Sequence, residues 1–204
     1  NFSIIEIHNR PIYVKYLFDR IPNNIYSLYF HNDPLSMDGS KTIEERKKLL
    51  KICYKIIFNS NWSKKRFLEG LENKFVNSNK LVVFFQSAKK RSLSIIKQKK
   101  NWITFVGKLN NAKGYDVFAK TIKIILDKFP GWRAKIIGDE KREKITVNHK
   151  NVDLMGFLNH GQVLKIFKQT SIAVACSRWE EPFGRTSLEA SANGCAVVIT
   201  NKGG

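Results

Sequence analysis

Short runs of apolar, β-branched and aromatic residues alternate along this chain with stretches whose apolar positions recur every three or four residues. The first pattern predicts buried strands and the second amphipathic helices. In the first half, "FSIIEIH" (2–8) and "IYSLYFH" (25–31) predict strands ending in polar loops. "KTIEERKKLLKICYKI" (41–56) predicts a helix, with Thr42 and Glu45 at capping-box spacing and Ile43, Leu49, Leu50, Cys53 and Ile56 near one face. It leads into a short strand, "KIIFNS", then a helix in "NWSKKRFLEGL" (61–71) and a strand in "KLVVFF" (80–85).

The second half repeats the alternation. "WITFVGK" (102–108) predicts a strand, and 114–130 a helix with Val117, Phe118, Ile122, Ile125 and Phe129 facing inward. "RAKIIGD" (133–139) and "NVDLMGF" (151–157) are strands, 160–170 a helix and "SIAVACS" (171–177) a strand. A helix reaching Ala192 and the strand "AVVIT" (196–200) complete the series. Strand–helix alternation with continuously apolar strands predicts an α/β protein whose parallel sheets are covered on both faces. Between the halves, 86–100 carries a dense positive run without a clear period. The expected organisation is a first domain over 1–88, a basic linker over 89–100 and a second domain over 101–204. In open α/β sheets, ligands bind beyond the carboxyl ends of the strands, and candidate chemistry is sought there.

Composition narrows the class. With 204 residues, 43% of them hydrophobic, the chain is neither a disordered tail nor a membrane bundle. No window approaches the roughly 18 consecutive apolar residues of a spanning helix. The chain opens inside a strand without a starting Met and stops directly after an apolar run, so an internal piece of a longer protein is expected. Thirty-six Lys+Arg against 17 Asp+Glu give a net charge of +19. Such an excess favours an anionic partner: nucleic acid, an acidic membrane surface or a phosphorylated substrate. A Lys-rich surface that serves solubility is the plain alternative. The lysines are spread along the chain, and no basic-helix, zinc-finger or aromatic ribonucleoprotein pattern accompanies them, which argues against a dedicated nucleic-acid module. Cys53, Cys176 and Cys195 sit far apart in apolar stretches without metal-ligand spacing, as expected of buried reduced thiols in a cytoplasmic protein. Asp33 and Asp38 give no metal site; Asp33 before Pro34 is a turn residue.

Two loops carry candidate chemistry. Lys108 and Lys113 flank "GKLNNAKG" between a strand and the helix that starts near Gly114, and Gly107 permits close backbone approach. Two ammonium groups at a helix N-terminus make a seat for a diphosphate, unless both are merely solvated. The other loop is "EEPFGRTSLEA" (180–190). Pro182 keeps Glu181 extended, so the helix is expected to begin around Gly184 or Arg185, with the free N–H groups of Arg185, Thr186 and Ser187 aimed at an anion. Glu181 stands before that terminus and Glu189 about a turn along it. Carboxylates repel phosphate but bind paired hydroxyls, so a ligand with hydroxyls at both ends and phosphates between them fits: a nucleotide diphosphate sugar. The alternative leaves Glu181 a loop charge and Glu189 a surface helix residue.

"EEPFGRTSLEA" resembles the E-x7-E signature of retaining GT-B glycosyltransferases of the family-4 type, also called glycosyl transferases group 1. "FVGKLNNAKGYDVF", "AKIIGDE", "DLMGFLNHGQVLKIF" and "FNSNWSKKRFLEGL" resemble further segments of that family in order and spacing. The resemblance implies two Rossmann-like domains, both incomplete here, with the acceptor side in the first and the nucleotide-sugar site in the second. It implies that Glu189 holds the ribose, that Glu181 contacts sugar hydroxyls, and that Lys108 and Lys113 hold the diphosphate. Lys108 stands where the family usually has Arg, keeping the charge without the bidentate fork. The backbone of Phe183 and Gly184 would line the sugar, that of Thr186 and Ser187 the β-phosphate, with Arg185 beside them, and Gly138 and Phe157 would lie near the base. His31 in "FHNDP" would reach the transferred sugar, and His8 with Arg10 would shape the acceptor side; each histidine has the alternative of capping a strand end.

The implied reaction moves a hexose from a nucleotide diphosphate donor to an acceptor hydroxyl with retention, without a metal or other cofactor. The basic charge suits peripheral contact with an acidic membrane carrying a sugar or lipid-linked acceptor, as in bacterial cell-surface polysaccharide or lipopolysaccharide synthesis, with no nucleic-acid partner. A glycoside hydrolase would use two carboxylates without a phosphate seat. The nearer rivals are a sugar-nucleotide epimerase on the same fold, and a non-catalytic nucleic-acid or membrane-surface binder.

Overall fold

The computed structural model describes residues 3–89 and 99–204. The chain divides into two compact units. One holds the residues up to Gln86 together with Glu181–Phe183 and Gly203–Gly204; the other holds Ser87–Glu180 and Gly184–Lys202. Of the expected basic linker, 90–98 lies outside the described residues.

The first unit runs β1 (Ile4–His8), α1 (Ile12–Phe18), β2 (Ile25–Phe30), α2 (Ile43–Ile52), β3 (Lys55–Phe58), α3 (Asn61–Leu68) and β4 (Leu81–Val83). Its four strands are parallel in the order β1-β2-β3-β4. Tyr26, Leu28 and Phe30 of β2 alternate into the core, and Phe30, Phe58 and Phe67 pack with ring centroids 5.3–5.7 Å apart. Helix α1 has no counterpart in the sequence pattern. It is seven residues long, lacks a side-chain cap, and exposes Ile12, Tyr13 and Tyr16 while burying Val14, which blurs its period.

Helix α2 starts where its capping box predicts: Glu45 N–H donates to Thr42 Oγ1 at 3.1 Å and Thr42 N–H to Glu45 Oε2 at 3.0 Å. It ends at Ile52, so Ile56, expected on its face, is a buried residue of β3 instead. The polar-looking Arg46 is buried with Leu49 and Leu50. It donates to the carbonyls of Thr42, Phe67 and Glu69, and in doing so satisfies the carboxyl end of α3.

The second unit runs β5 (Lys100–Val106), α4 (Tyr115–Lys128), β6 (Arg133–Ile137), β7 (Val152–Leu154), α5 (His160–Gln169), β8 (Thr170–Ala175), α6 (Arg185–Ala192) and β9 (Ala196–Ile199). All five strands are parallel in the order β7-β6-β5-β8-β9. The order reverses between β5 and β8, which places a topological switch point at their carboxyl ends. Helix α4 buries Tyr115, Phe118, Ala119, Ile122 and Leu126. Val117 and Phe129, expected inside, are exposed: Val117 lies one step off the buried stripe, and Phe129 is the C-cap, past the last helical residue. Ile125 is half-buried, as a flank of the same stripe.

All three cysteines are free; Cys53 and Cys195 are buried and Cys176 half-buried. Burial pushes the Cys53 thiol up to about 12, so it stays protonated near neutral pH. Among the described residues no His, Cys, Asp and Glu cluster of three or more gathers to hold a metal ion, and no helix is long and apolar enough to cross a membrane.

Candidate functional site

The second unit builds its site at the carboxyl edge of the sheet. Gly107 follows β5 and donates from N to Ile137 O at 3.0 Å. Gly138 follows β6 and donates to Gly156 O, beyond β7, at 2.8 Å. Three glycines thus form a side-chain-free row across three strand ends, of which Gly156 has no part in the sequence reading. At Gly138, φ is 135°, and a Cβ would overlap the Gly107 carbonyl oxygen. Gly138→Ala is therefore expected to cost about 2–4 kcal/mol of stability from backbone strain and overlap. Urea unfolding checks this against Gly131→Ala, where a Cβ meets nothing within 4 Å and the midpoint should hardly move.

The loop from Gly107 to Gly114 is held from inside and from behind. Asn110, buried, accepts the Lys113 N–H on Oδ1 at 3.0 Å, accepts the Tyr115 N–H on its carbonyl at 3.1 Å, and donates from Nδ2 to Glu140 Oε2 at 3.3 Å. The Ala112 carbonyl takes the N–H groups of Arg178 and Trp179 at 2.9 and 3.0 Å, which ties the loop to the turn after β8. Gly114 caps α4 in the left-handed region, where a Cβ would overlap the Cys176 carbonyl. Lys113 is half-buried in this frame and Lys108 exposed. Lys108 shares a surface depression with Asp139, Glu140, Lys141 and Arg142. The Arg142 guanidinium hydrogen-bonded to Glu140 holds that carboxyl at about 2, so it is an anion at neutral pH. Arg178 forms a bidentate pair with Asp116 in the first turn of α4, at 2.6 and 2.7 Å.

Helix α6 begins at Arg185 with Gly184 as a left-handed N-cap, as Pro182 predicts. The expected trio of free N–H groups is corrected: Ser187 N–H bonds back to Gly184 O at 3.1 Å, because the first turn tightens to three-residue closure. Arg185 and Thr186 are the first two residues of α6. Glu189, with its side chain 15% exposed, takes Arg185 Nη2 at 3.0 Å and His160 Nε2 at 3.2 Å, both on Oε1. His160 escapes the sequence reading, although its signal is there: the Asn159–Gln162 capping box fixes it as the first residue of α5. Phe157, next to Gly156, is 76% exposed.

Glu181–Phe183 belong to the first unit, where Glu181 pairs with Gly203 and its carbonyl accepts Gly204 N–H at 2.8 Å. In the same unit His8 ends β1 and His31 follows β2. Their rings meet at 2.9 Å through His8 Nδ1 and His31 Nε2, and Tyr29 stacks on both. His8 Nε2 reaches Glu6 at 2.5 Å, and His31 Nδ1 reaches Gln86 Nε2 at 3.2 Å. Asn9, at φ 57°, places its Oδ1 against the N–H groups of His31 and Asn32. Arg10 is exposed and donates to the Asn9 carbonyl. Asp33 is the turn residue expected, capping Leu35 N–H and pairing with Arg66.

Residues 86–204 match the family model described as Glycosyl transferases group 1. The chain belongs to this family. Spore coat protein SA of Bacillus subtilis (strain 168) is 21% identical over 229 residues, covering all of this chain and 61% of that protein. The uncharacterized 41.2 kDa protein in the cps region of Klebsiella pneumoniae is 28% identical over 114 residues, covering 55% of this chain and 31% of that protein. Anabaena Alr3699/HepE, solved in complex with UDP, superposes with a TM-score of 0.76 at 17% identity over 99% of this chain and 60% of that one. A glycosyltransferase from Rickettsia africae ESF-5 gives 0.72 at 19% identity, over 99% and 58%. These likenesses show the fold: Rossmann-like α/β units of the GT-B kind, the α/β class that the order of elements predicted and the GT-B type that the resemblance implied.

Proposed function

We propose that the protein is a retaining glycosyltransferase of the family-4 type, which moves a hexose from a nucleotide diphosphate sugar to an acceptor hydroxyl. What carries this is the switch point of the second unit: a glycine row, two lysines and the left-handed starts of α4 and α6 stand at the same sheet edge, with Glu189 held by Arg185 and His160. Backbone and ammonium groups suit a diphosphate, and a carboxylate suits the ribose diol. In this reaction the sugar–phosphate bond breaks and the nucleoside diphosphate leaves with both electrons, the acceptor oxygen bonds the anomeric carbon while its proton passes to the leaving phosphate, and Lys108, Lys113 and the α6 start stabilise the charge the diphosphate gains. No metal is assigned to that task. The base would lie toward Gly138 and Phe157, and the phosphate toward Arg185, Thr186 and Ser187, the last through its side chain rather than its N–H. Within the first unit, contacts to the sugar are assigned to Glu181, His31 and the backbone of Phe183, and the acceptor side to His8 and Arg10; within the second, the backbone of Gly184 is assigned to the sugar.

The presence of UDP-glucose in an Anabaena HepE structure supports a uridine nucleotide as the first probe, and the cps-region relatives support a role in cell-surface polysaccharide synthesis. The net charge suits an acceptor held at an acidic membrane face. Titration calorimetry of the full-length protein with UDP, GDP and a short oligonucleotide tests the reading. One nucleoside diphosphate should bind and the oligonucleotide should compete only at low salt. Failure of every nucleotide to bind overturns it, and conversion of donor to its epimer without transfer would assign the site to an epimerase.

A further inference from the structure

The first unit contains an uninterrupted run of hydrogen bonds, Glu6–His8–His31–Gln86, whose outer members the transfer reaction does not use. The links are Glu6 Oε1 to His8 Nε2, 2.5 Å; His8 Nδ1 to His31 Nε2, 2.9 Å; and His31 Nδ1 to the Gln86 amide, 3.2 Å. Each link needs one donor and one acceptor, so the protons along it are interdependent. A carboxylate only accepts, so in the neutral run His8 carries its proton on Nε2 and offers a lone pair at Nδ1. His31 must then donate from Nε2, which leaves its own Nδ1 a lone pair, matched by the Gln86 N–H. All three links are satisfied with both rings neutral.

One added proton gives a second consistent arrangement. Entering at His31 Nδ1, it forms a new N–H there while the Nε2 proton passes to His8 Nδ1. The positive charge comes to rest on His8, which donates from both nitrogens, one of them to Glu6. His31 now offers an N–H to Gln86, whose amide must turn its oxygen inward. Nothing among the described residues opposes that turn: Gln86 Oε1 is buried without a hydrogen-bond partner, so only the His31 ring selects the amide's orientation. Tyr29, whose hydroxyl donates to Phe84 O, is pushed up by burial and by Glu6 and stays neutral; Lys55 shares the apolar depression beside Glu6 and Tyr29; Arg10 is occupied with the Asn9 carbonyl.

We propose that Glu6, His8 and Gln86 are positioning residues forming a one-proton relay that sets whether His31 Nδ1 accepts or donates a hydrogen bond. Its bearing on catalysis rests on the transfer reaction proposed above; its existence does not. Nitrogen-15 NMR of histidine-labelled full-length protein at pH 8, without substrate, should show both rings as the Nε2–H tautomer. Acidification should produce one state with a charged His8 and His31 as the Nδ1–H tautomer. In Glu6→Gln the His31 tautomer should shift although the two residues do not touch, and Gln86→Glu should drive His31 to Nδ1–H at pH 8. An Nδ1–H tautomer of His31 in the unaltered protein at pH 8 overturns the relay even if no variant folds, as does a His31 signal indifferent to both substitutions. In turnover, Glu6→Gln should lower kcat about tenfold with the donor KM unchanged. Shifted tautomers in a protein that transfers nothing would leave the relay standing and remove the reaction.

Discussion

Lys113→Ala is expected to lower kcat for transfer by about 10²–10³-fold while the protein keeps its fold, as measured by initial rates under donor saturation and by circular dichroism. The reason lies in where charge appears. In the proposed transfer the diphosphate gains negative charge as the sugar leaves, and a hydrogen-bond donor fixed beforehand would stabilise that charge without reorganising. Lys113 meets this requirement better than Lys108. It is half-buried on a loop held by Asn110 and by the turn after β8, whereas Lys108 is exposed and shares its surroundings with Asp139 and Glu140. Lys108→Ala should therefore cost less, about tenfold, since an exposed charge is screened by solvent. Equal and small losses, under about threefold for both, would remove the lysines from the leaving-group role.

Glu189→Ala should weaken UDP binding about 10- to 100-fold in calorimetry, in line with about 1.5–3 kcal/mol for hydrogen bonds to a charged group. Both neighbours, Arg185 and His160, meet the same oxygen, Oε1, and hold the carboxylate in one orientation. The other oxygen is left for a vicinal diol. Binding of pyrophosphate, which has no ribose, should be almost unaffected by the same substitution. If UDP binds the variant as well as the parent protein, or if pyrophosphate is lost equally, Glu189 acts structurally and the ribose assignment fails.

Much of this arrangement is legible in the sequence because it depends on neighbours in the chain. Pro182 and Gly184 fix the start of α6, Thr42 and Glu45 fix the start of α2, and continuous apolar runs give the parallel strands. The remainder depends on partners that no local pattern names. Arg46 looks like a surface residue until α3 folds its carboxyl end onto it. Asn110 organises the lysine loop through its side chain, Gly156 joins the glycine row through strand register, and His160 meets Glu189 only because α5 and α6 lie side by side. The N–H of Ser187, expected to be free, is taken up by a single three-residue closure, a geometry that residue identity does not dictate.

The attachment of the Ala112 carbonyl to Arg178 and Trp179 also fixes a dimension. With one end of the loop continuing β5 and the other locked at Gly114 beneath Cys176, the span between them has no slack. An inserted residue would unzip the turn beyond β8, and a deleted one would drag Lys113 off its seat. The segment behaves as a gauge block rather than a tether: its length is set at both anchored ends.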